Sequence, residues 1–131
     1  MRQVISIAYS SSATSLFKPS ELFNLLQQAR SNNDQLGVTG MLLYQDRSFL
    51  QVLEGDDTLV RKLYRAISGD PRHTGFKTLL DHPIRQRQFA GWPMAFVNLN
   101  TAGHTESISA PELLTDPERA RDLVLSFRDR L

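Results

Sequence analysis

Between Val4 and Tyr9 the side chains alternate, with Ile5, Ile7 and Tyr9 on one face and Val4, Ser6 and Ala8 on the other. Both faces are apolar enough for a strand inside a sheet. Ser10-Ser11-Ser12 predicts the end of that strand. Pro19 suits the first turn of a helix, where its missing N–H costs nothing. Leu22, Leu25, Leu26 and Ala29 follow at the i, i+3, i+4, i+7 spacing of one apolar stripe. The turn-forming run Ser31-Asn32-Asn33-Asp34 predicts where the helix fails. Leu36 to Tyr44 and Ser48 to Glu54 read as two strands joined at Gln45-Asp46-Arg47. Val60, Leu63, Tyr64 and Ile67 form a second helical stripe, closed by Gly69 with Pro71 beyond. Phe76 to Asp81 and Met94 to Leu99 are the fourth and fifth strands. Asp116 or Pro117 opens a last helix carrying Ala120, Leu123, Val124 and Phe127.

The order is βαββαββ with a helical tail, which predicts an α+β, ferredoxin-like fold built on a split βαβ unit. A right-handed crossover leaves a gap between strands one and two that strand three fills, with both helices on one face. The expected division is a domain over 1–100 and a tail over 101–131. The tail stripe is expected to cover the open sheet face, in its own chain or on a second copy.

Composition narrows the function. At 131 residues there is room for one domain. Fifteen basic and fourteen acidic residues, net +1, argue against a nucleic-acid or membrane-surface protein. The strands also lack the basic-aromatic pattern that stacks RNA bases. With no cysteine, disulfides, thiol catalysis and thiolate metal sites are excluded. His73, His82 and His104 are too scattered to predict a metal site. No leader pattern precedes the first strand and no apolar run reaches the roughly 18 residues of a membrane span. A cytoplasmic protein is expected.

Tyr9 and Gln51 lie on otherwise apolar strand faces, Gln51 with Phe49 and Leu53. An unpartnered buried amide costs about 1–3 kcal/mol, so Gln51 needs a partner. Two readings follow. Tyr9 and Gln51 bond each other and fill a core gap, or both line a ligand with Asn32 and Asn33 from the helix end. Taken alone, Trp92 and Met94 read as core, His73 as a solvated loop residue, and Arg85 and Arg87 as a solvated loop or partner surface. Gly37 and Gly40 do not make a phosphate loop; they shape the approach to strand two.

At these residues the chain resembles the BLUF family, blue-light sensors that use FAD. The motifs are Tyr9-Ser10-Ser11, Asn32-Asn33 with Leu36-Gly37-Val38-Thr39-Gly40-Met41-Leu42-Leu43-Tyr44, Phe49-Leu50-Gln51-Val52-Leu53-Glu54-Gly55, Asp70-Pro71-Arg72-His73, and Phe89-Ala90-Gly91-Trp92-Pro93-Met94. They run from about Val4 to about Val97. The resemblance implies a non-covalent flavin, FAD with FMN as the alternative, between the two helices. It implies that Tyr9 donates an electron and that Gln51 is the pivot of a hydrogen-bond network. Asn33 would hold the pyrimidine end of the ring with Asn32 beside it, and Leu42 and Phe49 would supply apolar contacts to the rings. Arg72 and His73 would lie near the ribityl and phosphate chain, and Trp92 and Met94 would respond to Gln51. Pro93 departs from a frequent serine and restricts Trp92. The tail carries no recognisable output domain, so an unidentified protein partner is expected downstream.

Two rivals keep the fold. An acylphosphatase-like hydrolase needs an Arg in the loop after strand one. Ser10-Ser11-Ser12-Ala13-Thr14 has none, and the enzyme reading is set aside. A small-molecule-binding regulatory module without photochemistry is the alternative, and colour separates it from a flavin sensor.

Overall fold

In the computed structural model, which describes residues 3–101, 103–104, 106–108 and 116–130, β1 (Val4–Ala13) continues through Ser10-Ser11-Ser12. Their turn preference is overridden because β1 is hydrogen-bonded on both edges. Ser10, Ser11 and Ser12 face Leu50, Phe49 and Ser48 of β3 (Ser48–Asp56). Ser12 and Ala13 also face Thr74 and His73 of β4 (His73–Pro83). Pairing with Ser12 and Ala13 extends β4 back to His73, and pairing with Ser6 and Ile5 carries it on to Pro83, beyond the predicted Phe76–Asp81 at both ends. With β2 (Thr39–Gln45) and β5 (Ala95–Asn98), the sheet order is β4-β1-β3-β2-β5. β2 and β5 are parallel; the other pairs are antiparallel. The ferredoxin-like reading of a five-stranded mixed sheet is borne out.

Helix α1 (Pro19–Leu36) is longer than predicted and passes through Asn32 and Asn33. It ends instead at Gly37, whose left-handed φ of 65° closes the helix while Val38 N–H bonds Asn33 O at 2.8 Å. Strand β2 therefore starts at Thr39 rather than Leu36. Helix α2 (Asp57–Ser68) is capped by Asp56, whose carboxylate accepts from Leu59 N–H at 3.3 Å.

The sheet separates two cores. Ile5, Ile7, Tyr9, Phe49 and Leu53 pack beneath α1 and α2 with Leu26, Val60 and Leu63. Ala8, Met41, Leu43, Leu50 and Val52 face the opposite way, where Ala120, Val124 and Phe127 of α3 (Pro117–Arg128) cover them. The predicted tail stripe thus covers the sheet of its own chain. Residues 109–115, within the expected 101–131 tail, lie outside the described residues. Among those residues no helix is long and apolar enough to cross a membrane.

Strand pairing at the site depends on Gly40. A Cβ there would lie 2.0 Å from Val52 O of the neighbouring strand. Gly40→Ala should therefore lower unfolding stability by about 1–3 kcal/mol or more, because backbone rather than a flexible side chain must move. Urea unfolding that shows no loss would mean that β2 and β3 are not so closely spaced.

Candidate functional site

Tyr9 and Gln51 are directly opposite each other on β1 and β3. Both point under the helices, and the Tyr9 hydroxyl donates to Gln51 Oε1. Tyr9 is fully buried between the rings of Tyr64 (4.9 Å between centroids) and Phe76 (5.7 Å). Burial, with the nearby Tyr64 phenol adding to it, pushes its pKa above the ordinary value for tyrosine. The phenol therefore keeps its proton and acts as a donor. Gln51 directs its other end at a sulfur: Nε2 stands 3.6 Å from Met94 Sδ. A thioether is a weak acceptor, so this half of the amide is loosely held.

Above Gln51, α1 and α2 part to leave a cleft of about 200 Å³. Leu25, Ala29, Leu42, Leu63 and Ile67 give it apolar walls; Asn32, Asn33, Gln51, Arg72 and His73 bring polar atoms. Apolar walls with a few placed polar groups suit a flat ligand with a hydrogen-bonding edge. His73 Nδ1 is buried without a hydrogen-bond partner among the described residues. Burial pulls the His73 pKa below its ordinary value, against the pull of Asp70. His73 thus presents a neutral ring at pH 7 to the cleft lining.

Of the residues the sequence singles out, Asn32, Asn33, Leu42, Gln51, Arg72 and His73 line this cleft. Tyr9 lies one layer below, reached through Gln51. Phe49 packs in the same deeper layer against Phe17, Tyr44 and His73. Met94 is buried beside Gln51, whereas Trp92 joins the core on the opposite sheet face, 6.5 Å from the Phe89 ring. Asn33, 1% exposed, donates through Nδ2 to Pro93 O at 2.7 Å. Arg72 is held by Asp70 (Nη2–Oδ2 2.5 Å) and reaches Gln28 Oε1 at 3.3 Å. The Arg72 guanidinium in turn holds the Asp70 carboxyl below its ordinary pKa.

Sequence reasoning missed Arg30, whose Nε donates to Met94 O at 3.1 Å. A signal existed: Arg30 and Asn33 are three apart and so share a helix face. Together they grip the consecutive carbonyls of Pro93 and Met94. With its carbonyl taken by Arg30, Met94 stays outside the ladder, and β5 starts one residue later than predicted.

Residues 4–95 match the profile of the BLUF family, described as sensors of blue-light using FAD. The chain is 37% identical over 90 residues to photoactivated adenylate cyclase subunit beta of Euglena longa. That match covers 68% of this chain, and the chain spans 10% of the length of that relative. Among solved structures, the dark state of BlrB, a BLUF protein, superposes with a TM-score of 0.85 at 30% identity, covering 100% of this chain and 99% of that one. Klebsiella pneumoniae BlrP1 with FMN and cyclic diGMP superposes with a TM-score of 0.69 at 33% identity, covering 74% of this chain and 26% of that one.

Proposed function

The chain belongs to the BLUF family of blue-light flavin photoreceptors, and from that membership we propose that its cleft holds the flavin and that Tyr9 and Gln51 run the photochemistry. The observation that carries the proposal is the Tyr9–Gln51–Met94 line directly beneath a cleft with apolar walls and a polar floor. Leu42 and the aliphatic side chains of α1 and α2 flank the ring system. Asn33, Asn32 and Gln51 bond its polar edge, and Arg72 and His73 take the ribityl and phosphate chain. Arg72 and His73 stand side by side in the cleft lining, which supports that assignment. FAD, the family's namesake, is the cofactor we assign. FMN, present in the BlrP1 structure, shares the ring and ribityl contacts and would fit the same residues.

A bound flavin supplies an excited state that is a strong oxidant. With that oxidant bound, Tyr9, a neutral buried phenol, would supply the electron, and its proton would move along the existing bond to Gln51 Oε1. Both would return to Tyr9, leaving no product. What persists is a different arrangement of Gln51, whose two unlike ends can exchange partners. The Nε2 end gives up only a weak sulfur contact, and the Tyr9 hydroxyl bonded to Oε1 can turn to meet the amide again, which keeps the exchange inexpensive. The output goes to a protein partner in the cytoplasm, with a second copy of the chain as a further candidate. No step of this scheme turns over a substrate, so we assign a sensor rather than an enzyme. Family membership disfavours a ligand-binding module without photochemistry.

The purified chain should be yellow, and heating should release free flavin. A colourless protein that takes up neither FAD nor FMN would overturn the proposal.

A further inference from the structure

Glu54 is a buried carboxylate that this photochemistry does not use. It is 1% exposed, on the β3 face that carries Leu50 and Val52. Its Oε2 accepts from the backbone N–H of Gln88 at 2.7 Å. Its Oε1 accepts from the N–H of Phe89 at 2.9 Å and from Thr39 Oγ1 at 3.2 Å. Gln88 and Phe89 belong to the connection between β4 and β5 that ends in Trp92-Pro93-Met94. From these two residues the fastening runs on: Trp92 N–H donates to Phe89 O, and Gly40 N–H donates to Trp92 O, each at 3.0 Å. Arg87 adds a second clasp, with Nη1 2.7 Å from Gly37 O.

The chemistry requires a carboxylate at this position. Two separate N–H groups address its two oxygens. A glutamine, however it is flipped, must turn an NH₂ toward one of those donors. The volume stays the same while one bond is replaced by a donor–donor contact.

We propose that Glu54 is a positioning residue for the light switch: by holding the Gln88 and Phe89 amides it sets Met94 against Gln51, and it thereby governs how fast the light-driven arrangement decays. The inference rests on Gln51 as the switching group. The Glu54 anchor supports the arrangement in which Met94 Sδ meets Gln51 Nε2. The barrier to dark return lies where Met94 closes back on Gln51; a loosened anchor holds Met94 there less firmly and raises that barrier, so return in the dark becomes slower.

The test is Glu54→Gln in the full, flavin-loaded chain. The extent of the light-induced shift should stay as in the parent, while dark recovery slows by roughly tenfold, the loss of about one charge-assisted hydrogen bond. Trp92, the single tryptophan of the sequence, reports the loop directly. Its emission should become more open to acrylamide quenching, and the Gln88 and Phe89 amides should exchange faster. Thr39→Val removes one donor to Glu54 and should act in the same direction more weakly; it carries the test if Glu54→Gln does not fold. Unchanged or faster recovery would overturn the inference, as would unchanged Trp92 quenching and amide exchange. Trp92 quenching and amide exchange need no flavin. A parent protein that takes up no flavin would therefore count against the proposed function, while these two readouts would still decide whether Glu54 positions the loop.

Discussion

Tyr9→Phe and Gln51→Leu should both purify yellow and folded, and neither should show the reversible red shift of the flavin band under blue light. Tyr9→Phe keeps the ring against Tyr64 and Phe76 and removes only the hydroxyl that bonds Gln51. Gln51→Leu keeps the bulk on the cleft floor and removes both polar ends. Each change leaves one buried polar group without its partner, at about 1–3 kcal/mol of stability. Losing one hydrogen bond to the cofactor costs about 0.5–1.5 kcal/mol, roughly tenfold or less in affinity, because many other residues line the cleft. The photocycle, in contrast, should vanish: the neighbouring phenol, Tyr64, bonds Thr78 Oγ1 at 2.9 Å and not Gln51, so it lacks the proton path that Tyr9 has. A normal shift and dark recovery in either variant would remove that residue from the mechanism. Loss of flavin in both would make them binding residues, with the switching chemistry located elsewhere.

That Tyr9 and Gln51 meet is legible in the sequence. Each interrupts an apolar alternation on a face that helices must cover, and βαββ order makes their strands neighbours. Alternation alone does not supply the register, which sets Tyr9 opposite Gln51 rather than one step along the face. Local turn preference misleads twice, and for the same reason. Ser10-Ser11-Ser12 and Asn32-Asn33 look like breaks, yet strands on both sides hold the serines in β1, and Asn33 keeps its helical place by bonding Pro93 O. Glu54 left a signal of the kind that exposed Gln51: a polar residue on a face of Leu50 and Val52. Its partners are backbone amides more than thirty residues along the chain, which no side-chain pattern announces. The separation of Trp92 from Met94 onto opposite sheet faces is likewise a property of the loop and not of residue type.

Phe127→Ala should lower unfolding stability by about 3–5 kcal/mol, and the thermal midpoint by roughly 10–20 °C, without altering flavin absorption. Phe127 is 2% exposed and anchors α3 on the sheet face opposite the cleft. Its ring lies 5.8 Å from His104 and carries the Arg130 guanidinium 4.6 Å from its centroid. Truncation there leaves a cavity between α3 and the sheet, and polar residues around the ring are poorly suited to fill it. A surface change on the same helix, Arg119→Ala, gives the comparison. Its ion pair with Asp116 is long at 3.6 Å and its side chain 65% exposed, so stability should move by no more than about 0.5 kcal/mol. The sheet separates Phe127 from the cleft, so the flavin spectrum should report an unchanged site in both variants. A Phe127→Ala protein as stable as its parent would show that α3 does not hold the sheet of its own chain. A midpoint that rises with protein concentration would instead place the helix on a second copy.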